Sequence, residues 1–137
     1  MTEFIWPVRV YYEDTDSGGV VYYANYLKFM ERARTEWLRS LGFEQDELLK
    51  RDNILFAVRS ISLDYLKPAR FNDRLLVSAG ISARGRASLS FDQVVRRDSR
   101  DNEILCTGQV RIACLAADTL RPQPLPKHML TELSDVC

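Results

Sequence analysis

Histidine is nearly missing from this chain. His128 is the only one in 137 residues and stands near the C-terminus, which removes every mechanism needing a histidine base inside the fold unless the C-terminal segment folds back. Cysteine is scarce too. Cys106, Cys114 and Cys137 are an odd set with no CxxC pair and no neighbouring histidine, so nothing supports a metal site. No apolar run approaches the ~18 residues of a membrane-spanning helix. The opening Met-Thr-Glu-Phe-Ile-Trp-Pro carries neither the basic nor the apolar stretch of a secretory signal. Neither sign of charge dominates: 19 basic residues meet 19 acidic ones, against the basic excess or stripe that a nucleic-acid partner requires. With six glycines, five prolines and 46% apolar residues the chain is not a disordered tract. The expectation is a cytoplasmic protein, not membrane-embedded. It forms one domain over residues 1–137, with a proline-rich tail from about residue 119.

What is present alternates between two periods. Ile5 to Tyr12 is rich in β-branched and aromatic residues, with Val8, Val10 and Tyr12 in alternation. From about Tyr22 the period lengthens. Tyr22, Tyr26, Met30, Ala33, Trp37 and Leu41 recur at three- and four-residue steps, which predicts a helix of 17–20 residues ending near Leu41, with Gly42 as its stop. A second short helix is expected over Gln45 to Lys50. Strand patterns follow at Phe56 to Leu66, Leu75 to Ser82, Ala87 to Val95 and Ile104 to Leu115. Short polar turns at Asn72-Asp73, Arg84-Gly85-Arg86 and Asp98 to Asn102 favour sequential antiparallel hairpins. Cys106 and Cys114 share a face of one strand and read as core residues. The class is α+β, an antiparallel sheet with its long helix on one face.

Chemistry, if any, belongs to Asp14-Thr15-Asp16-Ser17-Gly18-Gly19, between the first strand and the long helix. As a calcium loop it lacks the ligands at positions 5 and 12, held by Gly18 and Asn25. As an Asp-x-Asp phosphatase motif it lacks a parallel α/β body. It also fits an aspartate-rich turn of no catalytic use. A fourth reading sets a carboxylate against a helix N-terminus, whose unpaired N–H groups would polarise a carbonyl while the aspartate attacks it or deprotonates water. Gly18 and Gly19 would let backbone and substrate approach closely. Thioesters suit that arrangement because a thiolate leaves easily. Spacing alone does not choose between the last two.

Longer words do. Val8 to Leu27, Glu31-Arg32-Ala33-Arg34-Thr35-Glu36-Trp37-Leu38, Asp64-Tyr65-Leu66-Lys67-Pro68-Ala69-Arg70 and Pro122 to Pro126 closely resemble the hotdog-fold acyl-CoA thioesterases. The resemblance is to the 4-hydroxybenzoyl-CoA thioesterase family and, within it, the YbgC type associated with the Tol–Pal system. It implies a hotdog fold, a five-stranded antiparallel sheet wrapped around one long central helix. It implies hydrolysis of acyl-CoA or acyl carrier protein thioesters to a free acid and a thiol, with no cofactor, CoA being part of the substrate. Asp16 matches the catalytic carboxylate, as nucleophile or general base. Tyr23 matches the residue whose backbone N–H polarises the carbonyl, at a place where most YbgC-type members carry histidine and the 4-hydroxybenzoyl-CoA enzymes carry tyrosine. Glu31 falls in the Glu-Arg-Ala-Arg segment, either supporting the site or bridging to Arg34 or Arg32. Arg84 and Arg86 resemble the basic hairpin that meets the CoA phosphates. A homodimer or homotetramer is implied, with sites at subunit boundaries. Two rivals remain: an acyl-CoA-binding scaffold of the same fold, disfavoured by retention of Asp16, and a dehydratase of that fold, which needs a histidine.

Overall fold

Among the described residues the β-branched and aromatic runs become five strands, and three helices accompany them. They are β1 (Phe4–Arg9), α1 (Asn25–Ser40), α2 (Gln45–Asp52), β2 (Ile54–Tyr65), β3 (Arg74–Arg84), β4 (Ser88–Arg97), β5 (Ile104–Ala116) and α3 (Lys127–Ser134). The computed structural model describes residues 3–134, so Cys137 lies outside the described residues. All strand pairs are antiparallel in one sheet of order β1-β3-β4-β5-β2. The expected α+β architecture stands. No helix among the described residues is long and apolar enough to cross a membrane.

α1 buries Tyr26, Phe29, Met30, Ala33, Trp37 and Leu38 against β1, β3 and the inner faces of β4 and β5. Trp37 meets Phe91 edge-to-face, ring centroids 5.3 Å apart. Gly108 of β5 makes the closest approach possible: a Cβ there would stand 2.5 Å from Leu63 and 3.1 Å from Met30. The helix ends as its glycine predicts. Gly42 at φ +94 lets its N–H reach the Arg39 carbonyl and the Phe43 N–H the Leu38 carbonyl, which satisfies two of the last free acceptors. Cys106 and Cys114 are fully buried, and both thiols are pushed up to about 11, chiefly by burial. They are inert core residues.

Four expectations need correction. β2 pairs with β5 rather than hairpinning onto β3. The Leu66 and Lys67 N–H groups both bond the Leu105 carbonyl, while the Asp14–Val21 loop claims the next segment through Val21 N–H to Ala69 C=O and a Val20–Arg70 bridge. The backbone groups a tight turn would use are therefore already engaged. The first strand stops at Arg9, because the Asp14 carboxylate caps the Tyr11 N–H at 2.8 Å and folds Tyr12–Asp14 into one 3-10 turn. α1 begins at Asn25, leaving Tyr22 44% exposed outside the core stripe. Lastly, the tail carries α3, whose Met129 and Leu133 join Leu125 in the core.

The elements divide the molecule into two ends. At one lie the Asp14–Val21 loop, the start of α1 and the β2–β3 connection. At the other lie the C-terminus of α1, α2, the β3–β4 hairpin and α3.

Candidate active site

The loop between β1 and α1 doubles back as a tight hairpin. Thr15 bridges Val21, the Asp16 N–H bonds the Val20 carbonyl at 2.9 Å, and the Gly19 N–H returns to the Asp16 carbonyl at 3.1 Å. Gly19 sits at φ +80, a conformation that costs glycine little and most residues much. Asp16 therefore stands at an exposed tip. Its Oδ1 takes the Gly18 N–H at 2.8 Å, and its Oδ2 has no partner among the described residues. A carboxylate so held is oriented but keeps one oxygen free.

Asp14 does the opposite work. Its carbonyl accepts both the Tyr22 N–H and the Asn25 side-chain amide, each at 2.9 Å, which ties the loop to the first residue of α1. Asn25 is 9% exposed, so leaving that carbonyl short of a donor would cost about 1–3 kcal/mol. The metal reading of the loop gains nothing, since among the described residues no three His, Cys, Asp or Glu side chains gather.

Just beyond comes the helix start. Ala24 precedes α1 with no side-chain cap, and the N–H groups of Tyr23 and Ala24 have no partner among the described residues. Their peptide planes are nonetheless held. The Tyr22 carbonyl accepts the Asn25 N–H at 2.9 Å, and the Tyr23 carbonyl accepts the Tyr65 hydroxyl at 3.0 Å. The Tyr65 ring stands edge-on to Tyr23 and Tyr26, and Tyr26 is fixed by the Ala69 N–H at 3.1 Å. Burial, first of all, raises the Tyr65 hydroxyl above its ordinary value, so it remains a donor. The result is a pair of free N–H donors at the positive end of a 16-residue helix, on the same short loop as a free carboxylate oxygen. The Tyr65 hydroxyl belongs to the site and the sequence reading missed its role; only its place in the Asp64–Arg70 word marked it. Tyr65→Phe is expected to lower turnover several-fold with little change in KM and a folded far-UV spectrum. Unchanged turnover would remove Tyr65 from the site.

A cavity of about 360 Å³ opens on the next face, between α1 and β2. Leu27, Glu31, Arg34 and Leu38 line its helix side; Phe56, Val58 and Ile61 of β2 line its sheet side. Asp16 is not among its walls. The helix-side residues continue the stripe that begins at Tyr23, four residues before Leu27. Glu31 makes no ion pair among the described residues, so the expected bridge to Arg34 or Arg32 is not formed. Arg34 instead bonds Gln93 at 2.9 Å.

The two arginines read as CoA contacts lie elsewhere. Arg84 and Arg86 flank the β3–β4 hairpin, whereas the Asp16 loop packs at the start of β3. The strand between them spans about 30 Å. Arg84 touches the Leu130 carbonyl at 3.5 Å, and the Arg86 carbonyl takes the Leu125 N–H. One chain thus carries Asp16, Gly18, Gly19 and Tyr23 on the segment that leads into α1, with Glu31 down the helix, while Arg84 and Arg86 lie at the other end of β3. His128 also stays at the far end, against Asp52 and Phe43.

Known proteins bear on this geometry. The thioesterase superfamily pattern matches residues 18–104. The acyl-CoA thioesterase YbgC of Haemophilus influenzae is 43% identical over 92% of this chain and 90% of its own. The acyl-CoA thioester hydrolase YbgC of Escherichia coli is 43% identical over 96% of each. Among solved structures, a 1,4-dihydroxy-2-naphthoyl-CoA thioesterase from Synechocystis superposes with a TM-score of 0.89 at 26% identity, covering 98% of both chains.

Proposed function

The chain belongs to the thioesterase superfamily, and on that premise we propose that it hydrolyses acyl-CoA thioesters with the Asp16 carboxylate and the Tyr23 N–H. The observation that carries the site is a free carboxylate oxygen on the Asp16 hairpin and two free N–H donors on the turn that follows it into α1. A thioester oxygen seated on the Tyr23 N–H gains negative charge as the carbonyl becomes tetrahedral, and the helix end stabilises it. As general base, Asp16 takes a proton from water while the water oxygen bonds the carbonyl carbon. The C–S bond then breaks, and the leaving CoA sulfur is protonated. As nucleophile, Asp16 forms an anhydride that water opens. A single turnover in oxygen-18 water separates the routes where water opens the anhydride at the aspartyl carbon: direct attack by water labels the product acid at once, whereas that route labels the Asp16 carboxylate first. The acyl chain lies along the α1–β2 cavity. Acyl carrier protein is the alternative carrier of the acyl group.

The working unit is a homo-oligomer, at least a dimer, in the cytoplasm. β1 closes its sheet edge with Pro7, which has no N–H to offer a further strand. β2, at the other edge, has 12 residues and no proline, and exposes Val58 (52%) and Ile61 (38%) on either side of a register irregularity. An open apolar edge of that length invites a second chain. Across such a boundary, Arg84 and Arg86 of one chain meet the CoA phosphates held at the Asp16 of the other, by charge-assisted pairing. Replacing both by Ala is expected to raise KM for acyl-CoA several-fold with little change in kcat, an effect that added salt narrows. Mixing that variant with Asp16→Asn checks the geometry. In a mixed dimer one site keeps Asp16 and gains intact arginines, so low-KM activity returns. An unchanged KM at low salt would shift the phosphate contacts to Lys67 and Arg70, beside the loop.

A further inference from the structure

Arg34 is buried to 7% exposure on α1, yet its guanidinium has a single hydrogen-bond partner among the described residues, Gln93 Oε1 at 2.9 Å. Gln93 is itself fully committed, its amide donating to the Met30 and Ser78 carbonyls at 3.0 Å each. A guanidinium carries five N–H donors in a fixed fork. Four of them remain, and among the described residues no side-chain nitrogen that is shut off from open space lacks a partner, so the unpaired guanidinium nitrogens of Arg34 face open space. The open space available to Arg34 is the 360 Å³ cavity it lines, whose walls are mainly apolar, with Leu38, Phe56, Leu89 and Phe91 among them and Thr35 and Gln45 as neutral polar members. Glu31 and Lys28 also line that cavity, on exposed faces of the helix. Burial draws the Arg34 guanidinium below its ordinary value and the Glu31 charge opposes that, so Arg34 stays cationic. A cation in an apolar slot is costly unless an acceptor reaches it.

We propose that Arg34 selects the substrate: the slot takes an acyl group whose far end carries an oxygen acceptor, a hydroxyl or a carboxylate, which Arg34 holds. The inference rests on the acyl chain lying in this cavity, as proposed above. Its geometry sets the length. Arg34 follows Tyr23 by eleven residues, about 16 Å along a helix axis, and an arginine side chain leans back toward the N-terminus. The guanidinium therefore waits on the order of 10 Å from a carbonyl seated at Tyr23, within reach of a medium-length chain. A slot built this way rejects an end group without oxygen, because binding it leaves the buried donors unpaired.

The test compares octanoyl-CoA with its omega-hydroxy analogue and with suberyl-CoA, which ends in a carboxylate, by kcat/KM on the wild-type protein. At least one oxygenated substrate is expected to exceed octanoyl-CoA by about tenfold or more. Equal rates, as a water bridging Arg34 would give, or a preference for octanoyl-CoA, would overturn the proposal. Arg34→Met keeps length and removes the donors, and is expected to erase or reverse the ratio. Arg34→Lys keeps a charge and is expected to retain part of it. Should the Met variant fail to fold, the wild-type ratio alone still decides. Asp16→Asn separates this from the site itself: if it abolishes turnover of all three substrates while the wild type shows no discrimination, the site stands and Arg34 does not select.

Discussion

Asp16→Asn is expected to lower kcat by about two orders of magnitude or more, a loss of at least ~2.7 kcal/mol of transition-state stabilisation, without loss of the fold. The reasoning rests on which oxygen does what. Oδ1 accepts the Gly18 N–H at 2.8 Å and so helps to shape the hairpin; an asparagine oxygen makes the same bond. Oδ2 has no partner among the described residues, and replacing it with an amide nitrogen removes the only feature the chemistry needs, a basic or nucleophilic oxygen. Structure is conserved by the swap and reactivity is not. Asp14→Asn should cost much less, because Asp14 acts through its main-chain carbonyl and through a cap on the Tyr11 N–H that asparagine also supplies. The measurement is steady-state hydrolysis of an acyl-CoA that the wild type turns over, with thermal unfolding as the control for fold. If a folded Asp16→Asn protein keeps more than a third of wild-type kcat, the carboxylate assignment fails; if Asp14→Asn is the more damaging, Asp14 is the reacting carboxylate.

Much of this architecture was legible because the two periods are strong where packing is simple. The buried stripe Tyr26, Met30, Ala33, Trp37 is long enough to mark α1, and Gly42 ends it by a backbone conformation few other residues accept. The strands of β3, β4 and β5 read correctly because short polar turns join them. What failed was non-local. Nothing in the alternation of Phe56 to Tyr65 says that its partner is β5, since that choice depends on the Asp14–Val21 loop occupying the backbone of residues 69 and 70. Helix α3 was hidden by Pro122, Pro124 and Pro126, although Leu125, Met129 and Leu133 recur every four residues. The site divides in the same way. Asp16, Gly18, Gly19 and Tyr23 are neighbours in sequence and so were readable together. Tyr65 and Arg34 act through contacts with Tyr23 and Gln93, forty-two and fifty-nine residues away, and only the folded chain shows them.

Tyr23→Pro is expected to lower turnover by at least about two orders of magnitude while Tyr23→Phe leaves it within several-fold, and the contrast isolates the backbone donor. The Tyr23 side chain is 61% exposed and packs on Tyr22 and Tyr65; phenylalanine preserves the ring contacts and forfeits only the hydroxyl, which interacts with the Tyr22 hydroxyl at the surface. Proline removes one hydrogen atom from the main chain. Elsewhere that would break the fold, but the Tyr23 N–H bonds nothing among the described residues and lies just ahead of α1, where proline is tolerated. The Tyr23 carbonyl remains free to accept the Tyr65 hydroxyl, so the turn keeps its other anchor. Removal of one donor from an oxyanion site typically costs about 100- to 1,000-fold in kcat. The Ala24 N–H, next along the turn, is the one donor left to the tetrahedral oxygen. Circular dichroism and thermal unfolding establish that the proline variant is native. A native proline variant with near-normal kcat means that the carbonyl sits elsewhere. A phenylalanine variant as inactive as the proline one means that the Tyr23 hydroxyl, not its N–H, takes part in the reaction.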